Sequence, residues 1–195
     1  AMTQLANGLS TAGHHEDALS VQEAELSMER RLGAPEQNLL IVQGNLATTY
    51  KVLGRIDEAT RMLRDVYSGY CRLEGEDGRE SLSSAYNYAT CLFELRRFEE
   101  AKVLMSKAMP IARRIIGDND RLTLRIRWIY AMALYWNDDA TLDDLRLAVT
   151  TLEETTRTAR RVLGGANPTT RHIEMSLREA QAALRARETP PPGSA

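Results

Sequence analysis

Residues Asn45 to Ala59, NLATTYKVLGRIDEA, decide the fold, because the chain says them twice. Asn87-Tyr88-Ala89, Leu95, Phe98 and Glu100-Ala101 stand 42 positions after Asn45-Leu46-Ala47, Leu53, Ile56 and Glu58-Ala59. Glycines keep the same interval: Gly33 in RLGAPE, Gly75 in LEGEDG and Gly117 in IIGDND are 42 apart, and Gly164 in VLGGAN follows 47 later. A sustained period of this length marks a repeat array, in which each unit buries its apolar face against the next.

Inside the block, Leu46, Tyr50 and Leu53 recur at i, i+4, i+7, which is one buried stripe of a helix. Past a turn at Gly54, Ile56, Ala59, Leu63, Val66 and Tyr70 follow at spacings of three and four, so a second helix returns with its own apolar face. Two helices of about 18 residues, roughly 27 Å long, joined by so short a turn must pack antiparallel. Ala47, Ala59, Ala89, Ala101, Ala131 and Ala148 fall where such helices cross, and close crossings need small side chains.

Outward from this block, Met2 to Ala12 reads as a helix that begins partway through a unit, with nothing matching the lead-in Asn38 to Gln43; this predicts a piece of a longer protein. His15 to Leu32 is its return helix, with Ala18, Val21, Met28 and Leu32 expected on the buried face, although one residue is missing between Ala18 and Gly33 relative to the later units. The third unit runs from Asp77-Gly78 through Tyr88, Leu92 and Leu95, turns at Arg96-Arg97, and returns through Phe98, Ala101, Met105, Ala108 and Ala112, with Pro110 expected to bend that helix without breaking it. The fourth opens on a capping cluster, Asp118-Asn119-Asp120, and its turn, Asn137 to Thr141, holds the five extra residues. Asn167-Pro168 starts a last helix, to about Arg187, that reads as a cap on the array. The expected organisation is an all-α, right-handed superhelix of helix pairs: repeats over about 2–34, 35–76, 77–118 and 119–165, a capping helix over 168–187, and a flexible tail over 188–195.

The composition narrows the function. The net charge is −2, so no global field draws the chain onto nucleic acid or an anionic membrane, and no apolar run reaches the roughly 18 residues of a membrane span. No signal-peptide pattern opens the sequence, and Cys71 and Cys91 read as small buried hydrophobes in a reducing compartment, so the expected location is the cytoplasm. No glycine-rich phosphate loop, G-x-S-x-G or Cys/His pairing is present, so neither an enzyme nor a cofactor is expected. His14-His15-Glu16 reads as a surface turn rather than a metal site, because consecutive helical residues diverge by about 100° and His172 stands alone. Asp138, Asp139, Asp143 and Asp144 lack the spacing of a calcium loop and suit a solvated turn with a helix cap. Arg157, Arg160, Arg161 and Arg171 form a basic face without interleaved aromatics.

A period in the low forties also suits HEAT or armadillo repeats, but the signature L-A-x-x-Y, glycine seven residues after the alanine and E-A five after that glycine, decides between them. The block resembles the 42-residue tetratricopeptide repeat of kinesin light chains, a repeat type also similar to the C-terminal sensor arrays of NB-ARC-type proteins. The resemblance covers about residues 2 to 187 and is strongest in units two and three; Gln4 stands at the asparagine position of unit one, and Ile129 at that of unit four.

The resemblance implies that the first helix of each unit lines a concave groove for a protein or peptide partner. The groove face is then Ile41, Asn45, Thr48, Lys51 and Val52 in unit two; Ser83, Tyr86, Asn87, Thr90, Phe93 and Glu94 in unit three; and Arg125, Trp128, Ile129, Met132 and Tyr135 in unit four. Asn45 and Asn87 would act as a ladder of amides, since an amide both donates and accepts and can hold a peptide backbone whatever its side chains. Tyr86, Phe93, Trp128, Met132 and Tyr135 would supply an apolar pocket, with packing between adjacent repeats as the competing use of Trp128 and Tyr135. Lys51 and Arg125 would favour an acidic ligand. The competing expectation is a structural or sensor segment of a larger protein that acts through its edges or by self-association, because the shortened first unit leaves Leu5 and Leu9 poorly covered.

Overall fold

A computed structural model describes residues 2–189, and among these the chain is all α-helical. The helices are α1 (Met2–Thr11), α2 (His15–Arg31), α3 (Glu36–Val52), α4 (Ile56–Glu74), α5 (Arg79–Glu94), α6 (Phe98–Ile115), α7 (Arg121–Tyr135), α8 (Leu142–Leu163) and α9 (Pro168–Glu188). Of the expected tail, Glu188 still belongs to α9, and residues 190–195 lie outside the described residues. The chain forms two compact units divided at Leu95/Arg96, so α1 to α5 make the first and α6 to α9 the second. In the first, each helix packs on the next in sequence; in the second, α6, α7, α8 and α9 do the same, and α7 also reaches α9.

The turn chemistry explains the boundaries. Gly54 takes φ 76° between α3 and α4, and 42 residues later Arg96 takes φ 57° in the same left-handed role. A non-glycine there is strained, but the Arg96 guanidinium lies 5.4 Å from the centre of the Phe98 ring and pairs with Asp138 at 3.2 Å, so its side chain has partners. Asp120 starts α7 by accepting the Leu122 N–H at 2.7 Å. In the inserted turn, Thr141 and Asp144 cap α8 reciprocally, Asp144 N–H to Thr141 Oγ1 at 3.1 Å and Thr141 N–H to Asp144 Oδ2 at 3.0 Å. Asn167 caps α9, with Pro168 in the first turn. α6 continues through Pro110 to Ile115.

The start of α5 is held from outside. The Glu74 carboxylate, at the end of α4, accepts the Ser81 N–H at 2.7 Å and the Ser81 hydroxyl at 3.3 Å. A Cβ on Gly78 would lie 2.2 Å from the Glu74 side chain, so glycine is what lets the carboxylate reach the helix N-terminus.

All six crossing alanines, Ala47, Ala59, Ala89, Ala101, Ala131 and Ala148, are fully buried. The first unit's core joins Leu19 and Leu26 of α2 to Val42, Leu46 and Tyr50 of α3, Ala59 and Leu63 of α4 and Cys91 of α5. The second unit's core runs from Leu124, Ala131 and Leu134 through Ala148, Leu152 and Ala159 to Ile173 and Ala180 of α9. α2 departs from expectation. Its buried residues are Ala18, Leu19, Gln22, Glu25 and Leu26, while Met28 and Leu32 are 41% and 73% exposed. Gln22 and Glu25 stand 41 residues before Leu63 and Val66, so two polar side chains occupy core positions of the first repeat. Thr3 of α1 donates to the Glu25 carboxylate at 2.5 Å, which gives that buried acid a partner.

Candidate functional site

In the first unit, α3 and α5 lie on either side of α4, and their outward faces share a cavity of about 220 Å³. Leu40, Leu63, Val66 and Tyr70 form its buried floor. Ile41, Gly44, Asn45 and Thr48 line it from α3, and Glu80, Ser83, Ser84 and Asn87 from α5. The helix period produces this grouping: 41, 44/45 and 48 lie on one face of α3, and 80, 83/84 and 87 on one face of α5. Asn45 and Asn87 are half-buried, and neither side-chain amide has a hydrogen-bond partner among the described residues.

Next to the cavity, Lys51 crosses from α3 to α5. Its ammonium donates to Thr90 Oγ1 at 3.0 Å and pairs with the Glu94 carboxylate at 2.9 Å. Thr90 in turn donates to the Asn87 carbonyl at 2.7 Å. Lys51 therefore ties the two helices together, and Glu94 already matches its charge. Of the other residues expected in the groove, Tyr86 and Phe93 are half-buried on α5, and Val52 is exposed.

In the second unit, Arg125, Trp128, Met132 and Tyr135 are half-buried on α7, while Ile129 is 5% exposed and belongs to the interior. Trp128 and Tyr135 face α9. The Trp128 indole N–H donates to Ser176 Oγ at 2.9 Å, and the ring stacks on His172 with centroids 5.9 Å apart. The Tyr135 hydroxyl donates to Glu179 at 2.7 Å, and burial, with that carboxylate's help, raises its pKa well above the usual tyrosine value. Both rings pack against the α7–α8–α9 core, so they join successive repeats.

Sequence reasoning missed Glu80, His172, Ser176 and Glu179. Glu80 was within reach of the helix period, one turn before Ser83 and two before Asn87. The α9 residues carry no such signal, because their contacts depend on how α9 docks. Among the described residues, no group of three or more His, Cys, Asp or Glu side chains could hold a metal ion, and no helix is long and apolar enough to cross a membrane.

Paired helices with a 42-residue beat, buried alanines where they cross and a polar face on α3 and α5 are the architecture of a tetratricopeptide-repeat fold. Residues 39–80 match the tetratricopeptide repeat family, and the fold is that of the kinesin-light-chain-like arrays. The crystal structure of a Podosopora anserina protein described as a kinesin light chain with nearly identical TPR-like repeats is 20% identical, with a TM-score of 0.78 over 96% of this chain and 87% of that one. BtubC (BKLC) from P. vanneervenii is 16% identical, with a TM-score of 0.64 over 100% of this chain and 82% of its own. YrrB, described as a TPR protein with an unusual peptide-binding site, is 16% identical, with a TM-score of 0.54 over 96% of this chain and 91% of that one. No curated protein matches the chain in sequence.

Proposed function

We propose that the chain is a non-catalytic interaction module that holds an extended peptide segment of a partner protein across the α3–α5 face. One observation carries this reading: two asparagine amides, 42 residues apart, line one cavity, and neither has a partner. Amides so placed suit a peptide backbone, which offers N–H and C=O groups at regular intervals. The peptide-binding description of YrrB, whose fold is similar, supports the same use of such a surface. The acidic preference expected from Lys51 loses its support on this face, because Glu94 already neutralises Lys51.

The test is selection of random peptides displayed on phage against the chain, followed by titration of the best binder. Asn45→Ala and Asn87→Ala are each expected to weaken it by about 1–3 kcal/mol, the range of a true hot spot, with the helical circular dichroism unchanged. If both variants bind that peptide as the parent does, the groove reading is wrong.

A second reading, self-association or contact through an edge of the array within a larger protein of the NB-ARC-like kind, rests on the exposure of Leu5 on α1, Met28 on α2 and Leu32 just after it. Light scattering over a concentration series tests it, since a mass that stays monomeric throughout contradicts self-association.

A further inference from the structure

Twelve residues line the Asn45–Asn87 cavity, and Glu80 is the only one among them with a charged side chain. The other polar groups are neutral: the amides of Asn45 and Asn87 and the hydroxyls of Thr48, Tyr70, Ser83 and Ser84. Glu80 has no salt-bridge partner among the described residues, and the nearby ammonium of Lys51 is held by Glu94 outside the lining.

The ordinary use of an acid in a first helical turn is to face the positive end of the helix dipole. In α5 that place is filled from outside, by the Glu74 carboxylate on the Ser81 N–H. Glu80 is therefore left over, one turn along the same face as Ser83, Ser84 and Asn87. Its field reaches into the cavity: the Tyr70 hydroxyl, which lines the same cavity, has its pKa raised first by burial and then by the charges of Glu80 and Glu74.

We propose that this cavity takes a basic side chain, lysine or arginine, of the bound peptide, its aliphatic stem lying on Leu40, Leu63 and Val66 and its cationic head meeting Glu80 and the ring of hydroxyls. The chemistry suits both parts of such a side chain, which needs an apolar bed for the stem and an anion with acceptors for the head. An acidic side chain would meet a like charge there, with no cation in the lining to offset it. The charge of this cavity is then opposite in sign to the one that Lys51 suggests. The inference rests on the groove reading above, which places a peptide over Asn45 and Asn87.

The experiment selects the same phage-displayed random peptides on the full chain carrying the native residue, Glu80→Gln or Glu80→Lys. The native chain is expected to enrich peptides with lysine or arginine at one aligned position. Glu80→Gln should weaken the best of them about fivefold, the upper end for a partly exposed ion pair, and Glu80→Lys should exchange the basic position for aspartate or glutamate. Peptides that bind in an Asn87-dependent way but show an acidic or apolar residue at every aligned position, or bind Glu80→Gln unchanged, overturn this inference and leave the groove reading standing. A selection that yields no binder on the native chain overturns both.

Discussion

Leaving a half-buried amide unpaired has a cost, and the chain does so twice, at Asn45 and Asn87, on opposite walls of one cavity. Those positions were legible in the sequence because a residue type recurring on the groove side of the period stands out from the apolar stripe. Trp128 and Tyr135 were less so: their partners, Ser176, His172 and Glu179, sit more than forty residues on, and only the docking of α9 brings them together. The cysteines separate in the same way. Cys91 is fully buried and burial pushes its thiol pKa up, whereas Cys71 is half-buried. Brief iodoacetamide treatment of the folded protein should therefore alkylate Cys71 and spare Cys91, with both labelled in denaturant; equal labelling of the two when folded would contradict this placement. Arg127, with a side chain only 6% exposed, pairs with Glu154 at 2.6 Å. Glu154→Ala strips a buried guanidinium of that partner and should cost about 1–3 kcal/mol, read as a lowered urea midpoint; an unchanged midpoint would show that water satisfies Arg127 equally well.

At the scale of the element, α2 is where sequence and structure part. The apolar Met28 and Leu32 point to a buried face that the structure places in solvent, because the buried set Ala18, Leu19, Gln22, Glu25 and Leu26 keeps one helical period and Met28 and Leu32 lie off it. Polarity added to the misreading: Gln22 and Glu25 look like surface residues yet occupy the positions that Leu63 and Val66 hold one repeat later. Glu25 has Thr3, but the Gln22 Oε1 is buried with no partner. Gln22→Leu, which restores the apolar residue of the neighbouring repeat, should stabilise the protein by about 1 kcal/mol. Thermal unfolding checks it, and a fall in midpoint would mean the amide is satisfied after all. The ends of α1 and α9 were legible to within a residue, and caps such as Asp120, Thr141 and Asn167 and the left-handed residues Gly54 and Arg96 punctuate the period elsewhere.

For the whole molecule, pH acts from both sides. Arg55, Arg97 and Arg160 hold the carboxyls of Glu58, Glu100 and Glu174 below their usual pKa, and Thr141 does the same for Asp144. The folded chain thus binds fewer protons than the unfolded one on the acid side, and the stability these groups add is present above about pH 4–4.5 and lost as pH falls below it. Burial raises the Cys91 thiol and the hydroxyls of Tyr50, Tyr70, Tyr130 and Tyr135, and takes that of Tyr67 to about 12. These groups keep their protons longer when folded, so their contribution holds below about pH 9 and fades as pH rises towards those raised values. The thermal midpoint should be level from about pH 6 to 8 and fall on either side; a midpoint still rising at pH 11 would contradict the burial of these groups. The array itself was readable from the 42-residue beat and its six buried alanines, but the charge of the groove was not, since it depends on Glu94 claiming Lys51 and on Glu74 freeing Glu80.

The most direct test of the central claim is the nitrogen-15 correlation spectrum of the side-chain amides, recorded while the selected peptide is titrated in and assigned with Asn45→Ala and Asn87→Ala. The groove account predicts that the NH₂ signals of Asn45 and Asn87 both shift and saturate with the peptide. A peptide that binds to saturation while those two signals stay where they were would contradict it.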